Sequence, residues 1–178
     1  MCSLKKYLQL FLVILLCISA VGCSNKVQET PNTYHTEIYF SPGGDTANRI
    51  IKAIDTSTST IDLAIFDLTS QEIKQAFDRA KNRGVKIRII ADSRQAQGAH
   101  SVIQPLLDEG LNIRIRRGKG RGIMHNKFAI FDGKLMVTGS YNWTDSAEHY
   151  NYENAMFISD LETIKKYRQE FDNIWYLR

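Results

Sequence analysis

Beyond residue 23 the chain has no cysteine. The three it contains are Cys2, Cys17 and Cys23, so no intrachain disulfide can form downstream, and a small disulfide-stapled secreted fold is excluded. No apolar run reaches the ~20 residues that a spanning helix needs. The longest, LFLVILLCISAV from Leu10 to Val21, is too short for that. Neither sign of charge dominates: 23 Lys and Arg face 19 Asp and Glu, a formal net charge of +4, which says little about partners. Histidine is sparse, at His35, His100, His125 and His149. No group of His, Asp or Glu has the spacing of a zinc site, and no internal repeat is visible. What remains is 178 residues at 43% hydrophobic content, enough for one globular domain with a real core.

The first residues read as an export signal. Lys5 and Lys6 precede the apolar run, and the sequence then passes through AVGC to Cys23, in the order basic, apolar, processing site. This stretch resembles a bacterial lipoprotein processing box, with Ala20 where leucine is most usual. The resemblance implies that residues 1–22 are removed, that Cys23 carries the lipid, and that the protein is exported and held at a membrane surface without spanning it. A secreted protein and an uncleaved N-terminal anchor are the alternatives. Loss of Lys5 and Lys6 with the leader leaves 21 basic against 19 acidic side chains. Residues 23–35, polar with one proline, read as a tether, and residues 36–178 as the folded domain.

Within that domain, strands and helices alternate. Strands are predicted at 36–40, 60–68, 85–92 and 111–117. Helices are predicted at 46–57, at 70–84 with Ser70 as N-cap and Gly84 past its end, and at 99–110, weakened or kinked by Pro105. The rhythm then changes. MHNKFAIFD and KLMVTG read as two strands joined through Asp132-Gly133, a strong hairpin signal. NYENAMFIS is a further strand. A last helix starts at Ser159, with Glu162 three residues on as a capping box and a stripe of Leu161, Ile164, Tyr167, Phe171, Ile174 and Trp175. The fold class is α/β: one domain with a mixed, largely parallel sheet flanked by helices.

The chemistry concentrates in MHNKFAIFDGKLMVTGSYNW, residues 124–143. If 123–131 is a strand, His125, Lys127 and Ala129 share one face, which sets an imidazole beside a fixed cation. The hairpin returns a second strand that delivers Gly139, Ser140 and Asn142 at its exit. Gly139 permits close backbone approach. The Ser140 hydroxyl and Asn142 amide are donors for an anionic oxygen. Asp132 is most simply a turn residue.

His125-x-Lys127-x4-Asp132 followed by Gly139-Ser140-x-Asn142 resembles the HKD motif of the phospholipase D superfamily. YFSPGGD, AKNRGVKIRIIAD and NYENAMFI extend the similarity over most of the domain, toward the small bacterial endonucleases that carry a single motif. A fused double-motif enzyme would show an internal repeat. Phe66-Asp67 departs from the aromatic–hydroxyl pair usual there. The resemblance implies a phospholipase D-like fold and a phosphodiesterase that works without a metal or cofactor. It implies that Lys127, Ser140 and Asn142 hold the non-bridging oxygens and that Glu153 supports the histidine. It also implies that two motifs face each other, one histidine attacking phosphorus and the other protonating the leaving oxygen. In-line displacement needs groups on both sides of phosphorus, and one histidine cannot occupy both, so a two-fold homodimer is expected.

The segment 112–127 carries Arg114, Arg116, Arg117, Lys119, Arg121 and Lys127 with no acid. It reads as a contact for a DNA or RNA backbone or for anionic lipid headgroups, and equally as a solvated basic edge. An endonuclease is the first expectation, a phospholipase D acting on lipid headgroups the second, and a non-catalytic nucleic-acid or lipid-binding module the third.

Overall fold

The computed structural model describes residues 34–177. The leader, Cys23 and residues 24–33 of the tether lie outside the described residues. Tyr34 and His35, assigned to the tether from sequence, precede the first strand directly. His35 is docked on the domain: its N–H donates to Ser159 Oγ at 3.0 Å, and its carbonyl accepts from the Ser159 N–H at 3.1 Å.

The elements follow in the order β1 (Thr36–Ser41), α1 (Thr46–Thr56), β2 (Thr60–Ile65), α2 (Gln71–Asn82), β3 (Lys86–Asp92), a short 3-10 turn (Gln95–Gln97), α3 (Ile103–Asp108), β4 (Asn112–Arg116), β5 (Lys127–Phe131), β6 (Leu135–Gly139), α4 (Asp145–His149), β7 (Glu153–Ile158) and α5 (Leu161–Trp175). The seven strands form one sheet in the order β1-β7-β6-β5-β2-β3-β4. It is mixed, as read from the sequence, but parallel pairing is confined to β2, β3 and β4, and every other neighbour pair is antiparallel. The parallel part is therefore the smaller one. The reason is topological: α1 does not return the chain beside β1 but carries it past three strand positions to β2, and later strands fill the gap.

Side-chain alternation builds two cores, one on each face. Ile61, Leu63, Ile65, Ile87, Ile89, Ala129, Val137, Ala155 and Phe157 face α1, α2 and α3. Ala64, Ile90, Phe128, Ile130 and Met136 face α5 through Ile164, Phe171 and Trp175. On that second face Asp62 is buried. It is held by a bidentate Arg88 at 2.6 and 3.0 Å and by Arg168 at 2.9 Å. Arg88 also reaches Asp172 at 3.1 Å. A buried carboxylate is tolerable only when paired in this way, and the pairing fixes α5 on the sheet.

Three local expectations change and one holds. The helix around Pro105 is only Ile103–Asp108, and Pro105 sits in its first turn, where no N–H is needed, so it neither kinks nor weakens the helix. The cap of α5 is Asp160, whose carboxylate accepts from the Thr163 N–H at 2.9 Å; Ser159 is engaged by His35 and does not form the capping box. The strand expected from residue 123 begins at Lys127, so His125 lies just before β5 in an irregular segment. The Asp132-Gly133 turn does form, with φ of 51° and 66° and the Lys134 N–H bonded to the Phe131 carbonyl at 3.0 Å.

Candidate active site

The sheet register decides which residues can meet. Ser41 lies opposite Glu153, Lys127 opposite Ile65, Ile65 opposite Ala91, and Asp92 opposite Arg116. Phe128 faces Thr138, which places Gly139 at the same level as Lys127. One end of the sheet therefore collects the exits of β1, β2, β3 and β6 and the entries of β5 and β7. His125, Lys127, Gly139, Ser140, Asn142 and Glu153 all stand at that end.

His125 is held by its backbone and by one ring. Asp92, fully buried at the exit of β3, accepts the Met124 N–H at 3.0 Å through Oδ2 and the Arg94 and Gln95 N–H groups at 2.9 and 3.2 Å through Oδ1. Met124 itself is buried in the core beneath α5. The exposed His125 imidazole meets Phe66 edge-to-face at 4.6 Å. Lys127 Nζ donates to the His125 carbonyl at 3.0 Å and lies 4.9 Å from the centre of the same Phe66 ring. Burial lowers the Lys127 pKa from its ordinary value, against the pull of the Glu153 and Asp67 carboxylates. Asp67 shifts upward, mainly because it is half-buried; a bond from the Leu68 N–H and the charge of Lys127 oppose the shift. Phe66 and Asp67, which sequence reading marked only as a departure, thus act on the His-x-Lys pair, Phe66 by contact with both residues and Asp67 by its charge on Lys127.

The Gly-Ser-x-Asn segment is fixed from two sides. A Cβ on Gly139 would lie 2.1 Å from the Asn154 carbonyl oxygen, so only glycine lets β6 approach β7 there. That carbonyl accepts from the Ser140 and Tyr141 N–H groups at 3.1 and 3.3 Å. On the other side the Trp143 N–H donates to the Asp67 carbonyl, and the Trp143 carbonyl accepts from Thr69 and Ser70, each at 3.1 Å. Trp143 is fully buried and stacks on Phe77. Asn142 sits between these anchors, with its Oδ1 buried and without a hydrogen-bond partner among the described residues.

Glu153 does not bond to His125 of its own chain. Its Oε2 accepts from Ser140 Oγ at 2.6 Å and its Oε1 from Asn151 Nδ2 at 3.2 Å. Ser140 Oγ accepts in turn from the Asn154 N–H at 3.1 Å. Asp132 stands at the far end of β5. Its carboxylate accepts from the N–H groups of Thr58, Ser59 and Thr60 and from Thr58 Oγ1, between 2.8 and 3.1 Å. Burial works against its ionised form, but those backbone donors together outweigh it and hold the pKa below the ordinary carboxylate value. Asp132 is a clamp on the α1–β2 loop, which extends the turn role read from sequence.

The basic segment divides. Arg116 donates to the carbonyls of Ile174, Trp175 and Leu177 at 3.1, 2.9 and 3.0 Å. Arg114 bonds to the Trp175 carbonyl and stacks over the Trp175 ring at 4.5 Å. Both guanidinium groups thus satisfy the C-terminal end of α5, a structural task in place of the expected backbone contact. Arg117, Lys119 and Arg121 are exposed, with Arg117 Nε bonded to Ser93 Oγ at 3.2 Å. His149 pairs with Asp145 at 2.9 Å. His100 lines a cavity of about 480 Å³ together with Asp67 and Asn142. Among the described residues no group of three or more His, Cys, Asp or Glu could hold a metal ion.

Comparison with known proteins follows the same geometry. The family model described as "Cardiolipin synthase, PLD-like domain" matches residues 50–175. The mitochondrial cardiolipin hydrolase of Chlamydomonas reinhardtii is 36% identical over 141 residues, covering 79% of this chain and 61% of that protein. The chain thus spans less than two thirds of that relative's length. NucT from Helicobacter pylori superposes with a TM-score of 0.73 at 29% identity, covering 80% of this chain and 96% of that one. Nuc from Salmonella typhimurium, a phospholipase D family member, superposes with a TM-score of 0.73 at 28% identity, covering 80% and 94%. The chain belongs to the phospholipase D superfamily, within the family of cardiolipin synthase-type PLD-like domains.

Proposed function

We propose that the protein is a phosphodiesterase, and specifically an endonuclease that cleaves DNA or RNA without a metal through a phosphohistidine on His125. The imidazole of His125 attacks phosphorus. The bond to the leaving oxygen breaks, and a second imidazole supplies its proton. Water then attacks the phosphohistidine, giving its proton to the imidazole that has just become neutral. Lys127, Ser140 and Asn142 hold the non-bridging oxygens, with Lys127 contributing a full positive charge where charge builds in the transition state. The second imidazole comes from His125 of another copy of the chain, so the active unit is a homodimer. Glu153, occupied by Ser140 and Asn151 within its own chain, lies at the mouth of the site, where it orients the imidazole that acts there.

The observation that favours nucleic acid over lipid is the character of the cavity beside Asn142. Asp67, Thr69, His100, Asn142, Thr144 and Asp145 are among its walls, and every lining residue is polar. Such a set of side chains suits sugars and bases better than an acyl chain. The exposed Arg117, Lys119 and Arg121 add positive charge for a phosphate backbone. A second reading, hydrolysis of a phospholipid, is favoured by the relatives named as cardiolipin hydrolases. A lipid anchor on Cys23, following export to a membrane surface, would serve either reading.

The test is turnover of DNA, RNA, cardiolipin and phosphatidylcholine in excess EDTA, with His125→Ala alongside. Nucleic-acid cleavage is the expected result. Cleavage of lipid alone supports the second reading, and loss of all turnover in EDTA refutes the metal-free route. Specific activity that stays constant at dilutions where sedimentation finds only monomer would refute the shared site.

A further inference from the structure

The cavity bounded by Asp67, His100 and Asn142 has no role in the displacement itself. It adjoins the phosphate site at two points: Asn142 belongs to both, and the Asp67 carboxylate lies close enough to Lys127 to raise that lysine's affinity for its proton. At about 480 Å³ it falls within the usual range for small-ligand pockets. Its walls are rich in acceptors. Among the described residues, the Asp67 carboxylate is served by the Leu68 N–H alone, which leaves most of its lone pairs open. A second phosphate would be repelled by Asp67 and Asp145, and no Val, Leu, Ile, Met or Phe side chain stands among the walls. The occupant that fits carries hydrogen-bond donors and no negative charge.

We propose that this cavity is a recognition pocket for a nucleobase flanking the scissile phosphate, and that Asp67 selects bases presenting adjacent N–H donors, guanine first. Guanine offers N1–H and N2–H side by side, a match for the two oxygens of one carboxylate. Adenine and cytosine offer one amino group beside an acceptor. Thymine and uracil present two carbonyl oxygens around a single N–H, and these face the carboxylate unfavourably. The inference rests on the nuclease reading for its biological meaning. Its physical basis is Asp67, which stands where the superfamily pattern has a hydroxyl residue, so the selectivity belongs to this chain.

The experiment is calorimetric titration of the full chain in detergent with dGMP, dAMP, dCMP, dTMP and sn-glycerol 3-phosphate, beside Asp67→Asn and Asp67→Ser, with cleavage of a mixed-sequence oligonucleotide measured in parallel. We expect dGMP to bind about tenfold more tightly than dTMP, the discrimination typical of one bidentate base contact. Both variants should bring the two within about twofold. Equal affinities in the unmodified chain, no measurable binding, a preference that survives both variants, or glycerol phosphate binding more tightly than dGMP would each overturn the pocket. Selective binding without nucleic-acid cleavage supports the pocket and removes the nuclease. Cleavage with no base preference at the cut removes the pocket and keeps the nuclease.

Discussion

Asp132 is the residue where motif membership and geometry make opposite predictions. It completes the His-x-Lys-x4-Asp pattern, yet it sits five residues from Lys127 along β5, roughly 16 Å away at strand rise. Its carboxylate accepts four hydrogen bonds from the loop that enters β2. The perturbation is Asp132→Asn, which keeps the shape and the tolerance for the positive φ of 51°. It removes the charge and turns one acceptor into a donor facing N–H groups. Charge-assisted bonds of this kind contribute about 1.5–3 kcal/mol each. Those from Thr58 and Ser59 are exposed, so water replaces much of their value, while that from Thr60 is partly buried. The net loss should be about 2 kcal/mol, a fall in Tm of roughly 4–8 °C for a domain of this size. Asp132→Ala adds the strain of a left-handed backbone, about 1–2 kcal/mol more.

The pH dependence gives the same reasoning a second handle. The folded-state pKa of Asp132 is held down, so its contribution to stability is fully present above the unfolded carboxylate value near ~4. That contribution is lost as pH falls through the lower folded value. Urea unfolding from pH 3 to 7 should therefore show the protein and Asp132→Asn diverging at neutral pH and converging in acid. Turnover of bis(p-nitrophenyl) phosphate at 25 °C should be within about threefold of the unmodified protein, because an intact β5 still presents Lys127. A variant with unchanged melting and a hundredfold loss of kcat/KM would refute the structural account and return Asp132 to the chemistry.

The other predictions concern the opposite end of the sheet and the N-terminus. His125→Ala, at an exposed side chain, should melt within about 2 °C of the unmodified protein, in line with a surface substitution, and show no turnover; an unfolded variant would make His125 structural. The pH–rate profile should be bell-shaped, because one imidazole must be neutral while its partner is protonated, and a single-limbed profile would argue against two histidines. Asp92→Asn should lower kcat more than it raises KM, since it loosens the Met124–His125 backbone without touching substrate, and should cost about 2–3 kcal/mol for the buried acceptor; stability loss with unchanged kcat would leave Asp92 purely structural. Cys23→Ser should move the protein from the membrane fraction to the soluble one, and retention in the membrane would favour an uncleaved anchor.

How much of this was legible in the sequence depends on how local each cause is. Apolar richness in IDLAIF and KFAIF marked β2 and β5, because a strand covered on both faces buries nearly every residue. Ser70 and Gly84 marked the ends of α2, because caps act within one turn. The start of β5 was misjudged because Met124 and Phe128 continue an apolar spacing of their own. What holds Met124 is Asp92, 32 residues earlier in the chain, and no window on the motif contains it. Sheet order was equally hidden: β1 looks like the first strand of a βαβ unit, and only the arrival of β5, β6 and β7 between it and β2 shows otherwise.

The basic segment shows why one-dimensional charge patterns are ambiguous. Arg114 and Arg116 are as suitable for a phosphate as Lys119 and Arg121. The difference is set by the carbonyls of Ile174, Trp175 and Leu177, which a helix end leaves unsatisfied and which happen to stop beside β4. Those carbonyls are 58 to 61 residues away, so the sequence contains both partners but not their meeting. Glu153 carries the same logic across a chain boundary. Its oxygens are engaged by Ser140 and Asn151 of its own chain, so on the proposed mechanism the histidine it orients belongs to a partner copy. On the proposed mechanism a single chain would supply the nucleophile, the phosphate donors and the orienting carboxylate, and would leave one position open on the far side of phosphorus. A two-fold copy would fill it with a group already held in position by Asp92 and Phe66.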